Sequence, residues 1–387
     1  MFRILSCILF LCLLTGCWNS QELNDSALVH GVGLDKGSNG KIKFSTEIIK
    51  PGESSGGEGG TTGESIILEY EADTLIEGAR ESIRGIKRRV YFDHNRIWVI
   101  SEELAKEDFI GYLDLSRRDQ MFRLNSYIFI TEGDPIDILE TPTLYEDLSS
   151  TEIVSALDQT QYVAGYTPVK LYDLFRLMEG PIPNAYIPII HTKEVNEQVI
   201  TSLGGTAVIN NRRMIGKLNN EESVGLNVLL DRATGGYVDV EVNGDKVSVE
   251  INNSKTELKP TLQGNKLKAH IEVTIDGTLA DNTSKNPVNE QWLNQVQEEV
   301  NKKTKRQIHS TLDTLQQELK TDITGIGMET YRKYPEKWKH VQDQWNDIFT
   351  KAEISVKVNT DINHQGLINK SMERHNERPH NNPYKFK

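Results

Sequence analysis

Leu14-Thr15-Gly16-Cys17 is the place in this chain where residue types and spacing together specify a reaction. A large apolar residue, two small ones and a cysteine form a lipobox. Its thiol accepts a diacylglyceryl group, and cleavage before Cys17 makes that residue a new amino terminus open to N-acylation. Met1-Phe2-Arg3 supplies the short basic start, and Ile4 to Leu14 an apolar run of about a dozen residues, short of the ~20 of a permanent span. Residues 1–16 are therefore expected to be a signal peptide, and the product a lipoprotein held by Cys17 on the outer face of a membrane.

Other reactive patterns are missing from the sequence. Cys7, Cys12 and Cys17 are the only cysteines, so the product has no disulfide framework, no cysteine-based zinc site and no thiol nucleophile. There is no His-Glu-x-x-His, no Walker loop and no dinucleotide fingerprint. The nine histidines are scattered, with His375 and His380 near the end, and no metal or cofactor site is expected. A net charge of −12, or −13 once Arg3 leaves with the leader, repels nucleic acid and anionic lipid alike. Membrane attachment then falls to acyl chains, at ~0.8 kcal/mol per buried methylene. The basic-aromatic run from Tyr331 to Lys339 could stack single strands. Helical spacing instead puts Trp338, Val341, Trp345 and Phe349 on one buried face, and no nucleic-acid partner is expected.

The elements that carry these residues follow from periodicity. Leu28–Leu34 and Lys41–Ile49 are expected strands, and the Gly/Ser-rich tract 51–63 a flexible loop. Asp73 is the expected cap of a helix with Leu75, Ala79, Ile83 and Ile86 on one face. Strands at Arg96–Ile100 and Asn125–Thr131 alternate with helices capped by Ser101 and opened by Asp134-Pro135. From Ile187 to Ile275 strands dominate, with Asn243-Gly244-Asp245 as a hairpin turn. Asn286 and Pro287 should then open a helix whose apolar stripe runs from Trp292 to Leu319, about 50 Å long. Pro335 should open a second helix to Phe349, and Ala352–Ile362 should close the fold as a strand.

The expected fold is mixed α+β with several domains: an N-terminal strand/helix region over 17–197, of one or two subdomains, and a C-terminal mostly antiparallel sheet packed by long helices over 198–367. Residues 368–387 are expected to be a disordered tail. Gly325 and Gly327 should permit a tight turn between helices at φ values other residues resist. Pro335 should start the second helix, with Trp338 and Trp345 locking it to the core, as structural or interface residues.

Asp322-Ile323-Thr324-Gly325-Ile326-Gly327, Tyr334-Pro335-Glu336-Lys337-Trp338 and Trp345-Asn346-Asp347-Ile348-Phe349 resemble the C-terminal signature of the Ger(x)C lipoproteins, the C subunits of spore germinant receptors. The block from Gly16 to Asp25 with Val32-Gly33-Leu34-Asp35 is similar to that family's opening. Gly204-Gly205-Thr206-Ala207-Val208 and Ile215-Gly216-Lys217-Leu218 are similar to its middle. The resemblance implies lipid anchoring at Cys17 on the outer face of the spore inner membrane. It also implies partnership with an A subunit and a permease-like B subunit, no catalytic residues, and a role in triggering germination. A nutrient-binding lipoprotein is the competing expectation; a cell-wall hydrolase is a weaker one.

Overall fold

The structure, a computed structural model, describes residues 26–49, 65–86, 88–157, 165–283 and 288–365. Cys17 and its lipobox, the 51–63 tract, Asn286-Pro287 and the 368–387 tail lie outside the described residues.

The first half alternates as its sequence pattern requires. Strands β1 (Ser26–Lys36), β2 (Ile42–Ile49) and β3 (Ser65–Ala72) lead to helix α1 (Leu75–Ile86) and the short β4 (Arg89–Tyr91). Then come β5 (Ile97–Ser101), α2 (Glu102–Ala105), α3 (Phe109–Arg118), β6 (Tyr127–Thr131), α4 (Pro135–Leu139), α5 (Ser149–Leu157) and α6 (Leu171–Met178). A hairpin of β7 (Asn184–Val195) and β8 (Gln198–Asn210) continues into β9 (Arg213–Leu218). These strands form one nine-stranded sheet in the order β3-β2-β1-β5-β6-β7-β8-β9, with β4 also beside β1.

Strand β5 shows why its sequence is apolar throughout. Ile97 and Val99 face Ile138, Leu139, Ile153 and Leu157 of α4 and α5, while Trp98 and Ile100 enter the main core on the other side. A strand covered on both faces has no polar face to alternate with. Ser101 accepts from the Leu104 N–H and Asp134 from the Ile136 N–H, both at 3.1 Å, as expected of the two caps. The cap of α1 is Thr74 rather than Asp73. Its hydroxyl accepts from the Glu77 N–H at 3.2 Å, and Glu77 reaches back to the Asp73 N–H at 2.9 Å.

The expected division at 197/198 falls inside the β7–β8 turn, where Asn196 and Glu197 have φ of 51° and 64°. Strands β8 and β9 therefore belong to the first sheet. They join it through β7, whose Ile189 is in parallel register with Ile130 of β6. Apolar content and turn spacing do not reveal which sheet a strand enters.

Helix α7 (Asn220–Leu229) leads to the second sheet, in the order β10 (Tyr237–Val242), β11 (Asp245–Gln263), β12 (Lys266–Asn282) and β13 (Glu353–Gln365). Its first two pairings are antiparallel and the β12–β13 pairing is parallel. The connection between the last two holds α8 (Glu290–Asp313), α9 (Ile326–Lys333), α10 (Pro335–Val341) and α11 (Trp345–Thr350). Asn289 caps α8, accepting from the Trp292 N–H at 2.9 Å. The helix becomes a π-helical turn at Thr314–Glu318, and the span expected from Pro335 to Phe349 is broken by a 3-10 turn at Gln342–Gln344. The architecture is mixed α+β, as expected from the sequence.

Candidate functional site at the Asp322 junction

Between α8 and α9 the chain turns through Asp322, whose side chain gathers the surrounding elements. Oδ1 accepts from the Thr324 N–H at 2.9 Å and the Thr324 hydroxyl at 2.7 Å. Oδ2 accepts from the Gly327 N–H at 2.8 Å and the Trp345 Nε1–H at 2.9 Å. Asp322 is 2 % exposed. Four donors at one buried carboxylate replace the water it has lost, and no lone cation is needed to hold it there.

The same turn fastens the second half of the chain to the first sheet. The Asn184 Nδ2 amide, at the start of β7, donates to the Asp322 carbonyl at 3.0 Å and to Asn346 Oδ1 at 3.3 Å. Asn210, at the end of β8, donates to the Thr321 hydroxyl. A polar groove of about 530 Å³ opens beside this junction, between Asn184, Asn210 and the Gln344–Asn346 segment.

The singled-out residues converge here, with roles that differ in detail. Gly325 has φ of 89°, the left-handed value expected. Gly327 does not. It is required by close approach, since a Cβ there would sit 2.1 Å from Ile182 Cδ1 and 2.6 Å from Trp345 Nε1. Pro335 is the first residue of α10, and the Trp338 ring packs 4.9 Å from that of Trp345 and 5.9 Å from that of Tyr331. Trp338 and Trp345 are buried, as are Val341 and Phe349. Nothing in the sequence distinguishes Asp322 as the hub. Its only local signal is the Asp-x-Thr spacing, which suits a side chain accepting from the backbone two residues on.

A second buried carboxylate joins α7 to α8. Glu222 completes a capping box with Asn219 and accepts from the Thr314 hydroxyl at 2.6 Å and the Ser310 hydroxyl at 3.3 Å. A third, Glu47 on β2, is fully buried and accepts from the Ser149 and Ser150 N–H groups at 2.8 and 3.1 Å, closing the start of α5. Burial raises the Glu47 pKa above the ordinary carboxylate value, against the lowering effect of its hydrogen bonds to Ser150 and Ser149.

Glu222 lines an open groove of about 710 Å³ with His309, Ser310 and Thr314, and each of the three carboxylates is occupied in holding helices. Among the described residues no group of three or more His, Cys, Asp or Glu side chains could hold a metal ion. Nor is any helix among them long and apolar enough to cross a membrane. The three carboxylates tie together elements that are distant in sequence.

Comparison with known proteins shows which family the chain resembles over its length. Residues 19–192 match the family model described as the spore germination protein N-terminal domain. Residues 204–366 match the model described as spore germination B3/GerAC like, C-terminal. The chain belongs to the spore germination B3/GerAC-like family. Among its relatives, spore germination protein KC of Bacillus subtilis (strain 168) is 26% identical over 94% of this chain and 95% of that protein. Spore germination protein A3 of the same organism is 27% identical over 92% of this chain and 96% of that protein. The crystal structure of the GerBC protein shares the fold, with a TM-score of 0.56 and 20% identity over 89% of this chain and all of that one. The Asp322 turn, Gly327 and Trp345 all lie within the C-terminal match.

Proposed function

We propose that this family member is a lipid-anchored, non-enzymatic C subunit of a spore nutrient germinant receptor, attached through Cys17 to the outer face of the spore inner membrane. The observation that carries the reading is the order of parts. A lipobox ends at Cys17, and the two family matches begin two residues later and occupy most of the remaining chain. An A subunit and a permease-like B subunit are the partners this reading requires, and the polar groove beside Asp322 offers a rigid surface of a kind that could meet them. Carboxylates committed to helix ends and side-chain knots support a role in assembly over one in turnover.

Cys17→Ala tests the anchor. The substituted chain is expected to leave the membrane fraction and to slow the response of spores to nutrients, with its folded body unchanged by circular dichroism. Unaltered membrane retention and response overturn the reading. Tight one-to-one binding of an amino acid or sugar by the acyl-free chain would replace it with that of a solute-binding lipoprotein.

A further inference from the structure

The parallel strands of the first sheet all begin at one edge, and that edge is basic. Gly31 of β1 is level with Ile97 of β5, and Ile97 with Tyr127 of β6. His30, Arg96 and Ser126 therefore stand in a row just ahead of these positions. The row is fastened internally. The Arg96 N–H donates to the His30 carbonyl at 2.8 Å, and the Ser126 hydroxyl to the carbonyls of Asn95 at 2.6 Å and Arg123 at 3.1 Å. Strand β4 adds Arg89 beside Ser26, with its guanidinium 5.2 Å over the Tyr91 ring. Lys170 completes the edge, bonded to Asn125 at 2.8 Å. Arg89, Arg96 and Arg123 are exposed.

Asp93 is the one carboxylate in the segments 88–97 and 122–127, and it already faces Arg123 at 3.7 Å and His94 at 3.9 Å. The opposite ends of the same strands carry carboxylates that are paired with Lys36, Lys43, Lys106 and Lys217. Glu102, Glu103 and Glu107 follow β5, and Glu132 and Asp134 follow β6. On a chain of net charge −12, the strands thus run from an arginine-bearing end to an end where carboxylates and lysines are paired.

The arginine end is also where the chain departs toward Cys17. Eight residues separate Cys17 from Ser26, and the nine residue-to-residue steps reach at most about 30 Å. Charges are screened over roughly 10 Å, so a surface senses the edge nearest it and not the net charge of the whole body.

Resting on the anchored reading above, we propose that this edge is the membrane-facing surface of the protein. Arg89, Arg96 and Arg123 contact the phosphates of anionic phospholipids, and the opposite, ion-paired strand ends point away from the bilayer. Asn95, 5 % exposed with neither side-chain amide atom bonded within the protein, sits under the same row.

The acyl-free chain beginning at Cys17 has that residue as its single thiol. It can be coupled through this thiol to maleimide lipid in vesicles, which fixes the tether without native acylation. Amide hydrogen exchange is then compared on phosphatidylglycerol-containing and pure phosphatidylcholine vesicles. Amides over 88–97 and 122–128 are expected to exchange several-fold more slowly on the anionic vesicles only. Each arginine favours contact by roughly fivefold, so replacing Arg89, Arg96 and Arg123 together by Gln shifts the docked population by roughly a hundredfold and abolishes the difference.

The phosphatidylcholine profile of that variant shows whether its fold is intact, and Lys193, Lys266 and Lys305→Gln serves as the charge-matched control. Equal exchange on both lipids, protection of the second sheet instead, or equal sensitivity to the control substitutions overturns the proposal. Protection seen on native membranes but not on anionic vesicles assigns the edge to an acidic protein partner, and likewise overturns it. Mass spectrometry of natively made protein reads the anchor separately. An unacylated Cys17 defeats that reading while leaving the vesicle result to stand or fall by itself.

Discussion

The Nε1–H of Trp345 donates to Oδ2 of Asp322 at 2.9 Å, 23 residues away along the chain. That bond fixes the start of α11 to the turn before α9, and the Asp322 carbonyl fixes the same turn to Asn184 of the first sheet. Asp322→Ala should therefore cost more than about 3 kcal/mol, because it strands several buried donors at ~1–3 kcal/mol each. Urea unfolding of the acyl-free protein measures it.

Two neighbouring tryptophans should respond differently to the same change. Trp345→Phe breaks a hydrogen bond to a charged group, a loss of about 1.5–3 kcal/mol. Trp338→Phe removes an indole N–H that has no hydrogen-bond partner in the structure, so relief of that donor offsets part of the lost packing. Thermal midpoints should fall further for Trp345→Phe. An equal fall would mean that the bond to Asp322 adds nothing.

Gly327→Ala should be worse than Gly325→Ala. The added methyl at 327 meets Ile182 at 2.1 Å and Asp322 at 2.7 Å, an overpacking cost of ~1–3 kcal/mol or more. At 325 the nearest neighbour is Leu258 at 3.5 Å, and the cost is the left-handed conformation, ~1–2 kcal/mol. Gly325→Asn should recover part of that cost, whereas Gly327→Asn should not.

Half-buried His30 and buried Glu47 give opposite pH slopes. Burial, then the nearby His94 and Arg96, lowers the His30 pKa from 6.5 to about 4. The unfolded chain takes up that proton first, so the contribution present above pH 6.5 is lost as pH falls toward about 4. His30→Gln should flatten this decline in urea midpoints.

Glu47 behaves in reverse. Its pKa is raised by burial, so the folded chain holds the proton longer than the unfolded one. The stabilising contribution is full below the ordinary carboxylate pKa and disappears as pH rises through the folded value. Glu47→Gln should remove that slope. A midpoint profile unchanged by the substitution would show that Glu47 titrates alike in both states.

Much of the fold was legible because local signals agreed. Ser101, Asp134 and Asn243-Gly244 act where their chemistry places them, and the face of Trp338, Val341, Trp345 and Phe349 is buried as its spacing required. The misses share a cause, which is that distant partners decided them. Strands β8 and β9 join the first sheet through Ile189, a contact no window of sequence contains. Gly327 is glycine because Ile182 approaches it from 145 positions earlier, and φ plays no part. Asp322 became a hub only when Trp345 and Asn184 reached it. The lipobox expected at Cys17 is a reading of the sequence alone, and it lies outside the described residues.

Strand β13 runs parallel to β12 from Lys268↔Glu353 to Leu279↔Gln365, and among the described residues it is the last element. It reaches β12 through a crossover that holds all four intervening helices, and it closes the second sheet on that side. A chain terminated before Glu353 would expose a dozen positions of β12 as an open hydrogen-bonding edge, the usual starting point for sticking to a second molecule. Premature stops in this short stretch should thus yield aggregates and not merely a weakened monomer, and the quality of the finished protein hangs on its final thirteen-residue strand.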